Sequence, residues 1–120
     1  MDTIDVSVVI VNWNTEELLD NCISSIKEKT HGIRYEIIIV DNASQDGSVN
    51  LVKSKFPDCK LIESDRNLGF TKANNLAITR AFGKYILFLN PDTKLITNTL
   101  FNSVRFLETH KEFGALGCKL

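Results

Sequence analysis

Asp92 is the first residue of this chain whose setting asks for a chemical explanation. It stands in "YILFLNPDTKL", residues 85–95, where a run of apolar side chains ends on Asn90, Pro91 and Asp92. A carboxylate there can be a turn residue, because Pro at the second position with Asp and Thr after it suits a type I turn. It can also hold a divalent cation that carries phosphates. A diphosphate is a hard oxygen ligand, and Mg²⁺ or Mn²⁺ binds it with the help of one or two carboxylates. Pro91 stiffens the turn in either case and fixes where the carboxylate points. Two further stretches, "VDNASQDGS" (40–48) and "DRNLGF" (65–70), bring carboxylates, amides and glycine together. Each alone is also what a capping segment or a Gly-containing loop looks like.

The elements that position these groups alternate along the chain. "VSVVIV" (6–11) and "YEIIIV" (35–40) are short β-branched runs, as expected of strands covered on both faces. "CKLIES" (59–64) and "KYILFLN" (84–90) complete a set of four strands. Between them lie helical patterns. Residues 14–29 present Leu18, Leu19, Cys22, Ile23 and Ile26 on one face, with Asn14 as cap and Glu17 as the returning acid. Residues 46–56 form a short helix opened by Asp46 or Ser48 and stopped near Pro57. Residues 71–83 place Ala73, Leu76, Ala77 and Phe82 on a face, with Gly83 as C-terminal cap. Residues 97–111 form a last helix capped by Thr97 or Asn98, and "GALGCKL" (114–120) has the composition of a fifth strand.

This order predicts an α/β fold with a mostly parallel sheet and helices on both faces. Ligands of such sheets bind beyond the carboxyl ends of the strands, where the strand order reverses. That edge collects Asn12–Asn14, Asp41–Asp46, Ser64–Gly69 and Asn90–Asp92. No G-x-G-x-x-G follows the first strand and no P-loop is present, so phosphates would need a metal and scattered donors.

Composition narrows the class further. The chain has 120 residues, enough for a single domain over residues 1–120, with net charge −1 and 24% charged residues. No basic surplus points to nucleic acid, and no apolar run reaches the roughly 20 residues of a membrane helix. Cys22, Cys59 and Cys118 are far apart and odd in number, which fits reduced core thiols in a cytoplasmic protein.

Four segments in order, "VSVVIVNWN", "EIIIVDNASQDGS", "NLGFTKANNLAI" and "YILFLNPDTKL", resemble the family 2 inverting glycosyltransferases of GT-A fold, most of all their rhamnosyltransferase-like branch. The resemblance runs from about Val6 to Leu120. It implies the Rossmann-like nucleotide-binding half of such an enzyme, acting in cell-surface polysaccharide biosynthesis. Val11, Asn12 and Asn14 would line the base and ribose pocket, and Asp41 would read a pyrimidine N–H. That pairing works chemically because a carboxylate only accepts and the ring donates. Asn67 and Gly69 match a loop that closes over the nucleotide, and Asn75 an asparagine on the next helix. "NPD" matches the family's D-x-D motif, so Asp92 would hold Mn²⁺ or Mg²⁺. The departure is at Asn90, which brings a hydrogen bond and no charge. The donor would be UDP- or dTDP-linked and the acceptor a saccharide or lipid-linked saccharide, at the cytoplasmic or inner membrane face.

The implied chemistry needs a carboxylate base, and the resemblance places it downstream of Leu120, in an acceptor-binding half. Asp20, Glu28, Glu36, Asp58, Glu63, Glu108 and Glu112 are not at the predicted edge. The expectation is therefore a truncated, donor-binding domain with no catalytic residue of its own, whose terminal strand could pair with a second copy as a homodimer. Three other classes compete, one of them a sugar-nucleotide nucleotidyltransferase, which would want a Gly- and Arg/Lys-rich loop after the first strand that this chain lacks. A non-catalytic interaction module would keep the fold without the site. A phosphoacceptor domain would need acids after the first strand, where this chain has Asn12 and Asn14.

Overall fold

The computed structural model describes residues 3–117. Strands and helices alternate as β1 (Ile4–Asn12), α1 (Glu16–Lys29), β2 (Tyr35–Asp41), α2 (Ser48–Lys55), β3 (Lys60–Glu63), α3 (Gly69–Ile78), β4 (Gly83–Phe88) and α4 (Thr99–Thr109). The sheet order is β3-β2-β1-β4 and every pairing is parallel. The register sets Asn12 beside Asp41 and Asp41 beside Glu63, so these strands end together at one edge.

The chain steps outward from β1 to β2 to β3, then returns to place β4 on the other side of β1. Right-handed crossovers in opposite directions put their helices on opposite faces. The core shows this. Val6, Val8 and Ile10 meet Leu19, Cys22, Ile23 and Ile26 of α1, Val52 of α2, and Leu100 and Val104 of α4. The alternate residues Val9, Ile38 and Val40 meet Ala73 and Ala77 of α3. Each fully buried Ile or Leu contributes about 1.5–3 kcal/mol relative to exposure, so the larger layer dominates stability. On the other face, two alanines let α3 lie close to the sheet.

Several local expectations are corrected. Leu18 is largely exposed, because the buried stripe of α1 runs through Leu19, Cys22, Ile23, Ser25 and Ile26. Asn14 does not cap α1: Thr15 holds the cap position without a side-chain cap bond, and Asn14 adopts φ +53°. Gly47 holds the cap position of α2, while Asp46 Oδ1 accepts from Ser48 N–H (3.0 Å) and Ser48 Oγ–H (2.5 Å).

Helix α3 stops at Ile78, so Gly83 is not its cap but the first residue of β4, and Phe82 is exposed. The reason is a close approach: a Cβ on Gly83 would lie 2.4 Å from the Ser7 amide nitrogen. Strand β4 ends at Phe88 and α4 spans Thr99–Thr109, both shorter than the sequence pattern suggests. Asn98 sits at the α4 cap position, yet its side chain bridges to the His31 backbone, accepting from N–H (3.2 Å) and donating to C=O (3.0 Å). Residues 114–117 form no strand, and 118–120, with Cys118 and the rest of the expected fifth strand, lie outside the described residues. Cys22 and Cys59 are free thiols. Among the described residues no helix is long and apolar enough to cross a membrane.

Candidate functional site

The reversal of strand order falls between β1 and β4. Ligands of open α/β sheets bind in the crevice beyond the carboxyl ends of the strands where the order reverses; here α1 and α4, which follow β1 and β4, lie on the same face of the sheet. The connections leaving these two strands carry Asn12–Asn14 and Asn90–Asp92. Asp41 ends β2 one strand further away, and the Ser64–Gly69 loop follows β3.

At the β1 end Asn12 is fully buried. Its Nδ2 donates to Asp41 Oδ1 (3.0 Å) and to Ser44 Oγ (3.3 Å), and its Oδ1 accepts from Thr15 Oγ1–H (2.6 Å). Asp41 is also buried. Beyond Asn12, its Oδ2 accepts from Ser44 N–H (2.9 Å) and its Oδ1 from Ser44 Oγ–H (2.8 Å). A carboxylate offers about four lone-pair directions, and three are filled from within the chain. Asp41 is thus a brace between two loops, with a single acceptor direction left for a ligand.

The same two loops are stitched again further out. Asn14 N–H donates to Ser44 Oγ (2.9 Å), and Asn14 Oδ1 accepts from Gln45 N–H (2.7 Å). Glu16 N–H donates to Asp46 Oδ2 (3.1 Å), and Gly47 N–H to Glu16 Oε1 (2.9 Å). Burial acts to raise the Asp46 carboxyl, but the donors from Ser48 and Glu16 outweigh it and hold it below its ordinary value. A groove of about 580 Å³ on the α1–α2 side of these loops is lined by Asn14, Glu16, Glu17, Asp20 and Asp46. Its carboxylates disfavour an anion.

At the β4 end "NPDT" is a turn: Thr93 N–H donates to the Asn90 carbonyl (3.0 Å). Both Asn90 and Asp92 present exposed side chains. The loop is anchored to α1, because Leu95 N–H donates to Ser25 Oγ (2.9 Å) and Cys22 Sγ lies 3.8 Å from the Asn90 carbonyl. Burial, with a smaller contribution from the nearby Asp92 charge, pushes the Cys22 thiol up to about 12. A thiol so held is packing, not a nucleophile.

Among the described residues no group of three or more His, Cys, Asp or Glu could hold a metal by itself. At the β4 end of this edge the donor set is one exposed carboxylate, Asp92, on a stiff turn. That fits an octahedral Mg²⁺ or Mn²⁺ that takes its remaining ligands from phosphates and water, and does not fit a pre-built protein site.

At the third loop, Asn67 Oδ1 accepts from Gly69 N–H (2.8 Å), and Gly69 has φ +80°. Asn75 is exposed on α3, while its neighbour Asn74 is buried. Val11 is half-buried and packs against the α3 layer. The edge therefore gathers Val11, Asn12, Asn14, Asp41, Asn67, Gly69, Asn90 and Asp92, with Asn12 and Asp41 inside and the others outside. Sequence reasoning missed three participants. Ser44 joins both loops, and the i, i+3 spacing of Asp41 and Ser44 was its signal. Asn42 is buried and bonded to the third loop, and Trp13 is 54% exposed between Asn12 and Asn14.

Comparison with known proteins agrees with this geometry. Residues 7–118 match the profile described as glycosyl transferase family 2. The chain is 32% identical over 110 residues to the UDP-Glc:alpha-D-GlcNAc-diphosphoundecaprenol beta-1,3-glucosyltransferase WfaP of Escherichia coli, covering 90% of this chain and 43% of that protein. It is 33% identical over 117 residues to a poly(ribitol-phosphate) beta-glucosyltransferase of Bacillus spizizenii, covering 93% of this chain and 18% of that protein. The fold matches S. aureus TarS 1-349 in complex with UDP with TM-score 0.82 at 23% identity, over 90% of this chain and 33% of that one. It matches the mannosyltransferase PcManGT from Pyrobaculum calidifontis in complex with GDP-Man and Mn2+ with TM-score 0.79 at 26% identity, over 89% and 33%. The chain thus spans less than half the length of each of these proteins.

Proposed function

The chain belongs to glycosyl transferase family 2, and from that premise we propose that it binds a UDP-linked sugar donor with a divalent cation, for inverting transfer to an acceptor hydroxyl. The observation that carries this reading is the convergence of Asn12–Asn14 and Asn90–Asp92 on the β1–β4 crevice, flanked by Asp41 and the Asn67–Gly69 loop. The base sits at the β1–β2 end. The exposed Trp13 ring offers a face on which a base can stack. The one free acceptor direction of Asp41 takes a pyrimidine N–H, and Val11 and Asn14 line the approach. Asn67 and Gly69 cover the nucleotide, Asn90 hydrogen-bonds a ribose or sugar hydroxyl, and Asp92 holds Mn²⁺ or Mg²⁺. When bound, the cation supplies charge neutralisation for the leaving diphosphate.

In the reaction the acceptor oxygen forms a bond to the anomeric carbon as the bond from that carbon to the diphosphate oxygen breaks, with inversion. The acceptor proton goes to a carboxylate base. Of the unassigned carboxylates at this edge, Glu63 and Asp65 stand at β3, the far end of the sheet from Asp92, so we assign the base to none of the described residues. The printed donor of the Escherichia coli relative, UDP-Glc, favours UDP. The rhamnosyltransferase-like sequence pattern makes dTDP the second nucleotide to try. Acceptors are lipid-linked or polymeric, as in the names of these relatives.

Calorimetry with UDP, dTDP and GDP, each with and without Mn²⁺, tests the reading. Binding of UDP or dTDP that strengthens with Mn²⁺ supports it. No heat from either pyrimidine nucleotide at millimolar concentration overturns it in favour of a module that keeps the fold alone.

A further inference from the structure

The side-chain amide of Asn42 is spent entirely on one loop. Asn42 follows β2 and is 3% exposed. Its Oδ1 accepts from Leu68 N–H (3.2 Å), and its Nδ2 donates to the Gly69 carbonyl (3.3 Å). Its own N–H donates to the Asn12 carbonyl (2.9 Å). One residue therefore joins the β1 end, the β2 end and the start of α3.

The geometry of the loop explains why it needs such a clamp. Gly69 opens α3 with φ +80°, and Leu68 at the cap position gives no side-chain cap bond. Elsewhere in the loop the Asn67 side chain, itself exposed, accepts from Gly69 N–H, and Ser64 Oγ donates to the Arg66 carbonyl (2.5 Å) and accepts from Arg66 N–H (3.3 Å). A buried primary amide with one donor and one acceptor engaged on adjacent residues imitates a strand pairing. It fixes the loop's height above the sheet as well as its direction. An Asp at this position would keep the acceptor for Leu68 but turn a carboxylate oxygen towards the Gly69 carbonyl. An Ala would leave both backbone groups unsatisfied.

We propose that Asn42 is a positioning residue of the donor site, holding Asn67 and Gly69 where they cover the nucleotide; this rests on the donor-binding reading above. Its role is to act through the loop. Its removal should free the loop, so that binding must order it first, which makes UDP about fivefold to tenfold weaker.

Hydrogen exchange and calorimetry on the intact chain test this, with Asn42→Ala, Asn42→Asp and the core control Ile38→Val. In both Asn42 variants the Leu68–Thr71 amides should exchange faster and UDP with Mn²⁺ should bind more weakly. Ile38→Val should lower the urea midpoint without changing either readout. Unchanged exchange at Leu68–Thr71 in Asn42→Ala overturns the clamp. Faster exchange with unchanged UDP affinity overturns its role in the site, and weaker binding with unchanged exchange makes Asn42 a direct contact instead. If the unaltered chain binds no nucleotide, the donor-binding reading and the site role fall together, while the exchange data still decide whether the clamp exists.

Discussion

Asn12 Nδ2 and Asp41 Oδ1 meet at 3.0 Å across neighbouring strands, both side chains buried. The pair joins the carboxyl ends of β1 and β2 into one structure. Asp41→Asn replaces an acceptor with a donor facing Asn12 and Ser44, which costs about 1–3 kcal/mol in a buried setting. Urea denaturation should show that loss, and calorimetry should show weaker UDP binding in the same variant. A residue that served the ligand alone would lose affinity with its urea midpoint unchanged.

Asp92 behaves in the opposite way, because its side chain is exposed and the turn that carries it is closed by the Thr93–Asn90 backbone bond. Asp92→Ala should leave the urea midpoint within about 0.5 kcal/mol of the parent. It should abolish the gain in UDP affinity that Mn²⁺ brings. Persistence of that gain would move the metal assignment elsewhere.

The contrast between Asp41 and Asp92 also shows what a sequence can carry. Asp92 was legible as part of a turn because the turn itself is local: the apolar strand, Pro91 and Thr93 lie within a few residues, while the anchor of Leu95 on α1 through Ser25 spans 70 residues. The four strands were legible because continuous β-branched runs have few alternatives. Asp41 was legible as a strand-end acid but not as a brace between two loops, since Asn12 lies 29 residues away. Asn42 escaped notice because its partners are 26 and 27 residues distant. Gly83 was misassigned for a related reason. A glycine after a helical pattern is most simply a cap, and only the Ser7 backbone against it reveals the strand.

Gly83 and Gly69 should therefore respond differently to the same change. A Cβ on Gly83 meets the Ser7 amide nitrogen at 2.4 Å, backbone that cannot move without shifting β1. Gly83→Ala should cost about 2–3 kcal/mol. Gly69 has no atom within 4 Å of its Cβ position, and only its φ of +80° resists substitution. Gly69→Ala should cost about 1 kcal/mol. Equal losses by urea denaturation would contradict the close packing of β1 on β4.

The opposite end of the sheet sets the acid limit. Glu36 accepts from Ser7 Oγ–H (2.6 Å) and from Phe82 N–H (2.7 Å), and Lys60 Nζ lies 2.6 Å from its Oε1. Burial alone would raise this carboxyl, but the hydrogen bonds from Lys60, Ser7 and Phe82 and the Lys60 charge outweigh it and hold it below its ordinary value. A carboxyl depressed by folding stabilises the chain above its unfolded pKa, about 4.3 for Glu. That stability is lost as pH falls through the lower, folded value. Glu36→Gln should be less stable than the parent at pH 7 by about 1–2 kcal/mol, and the gap should close as pH drops below the carboxylate range. UDP affinity at pH 7 should not change, because Glu36 anchors the start of β4 and not its end. Urea midpoints of both proteins from pH 7 to pH 3 decide the matter. A gap independent of pH would mean that Glu36 acts through packing and not through its charge.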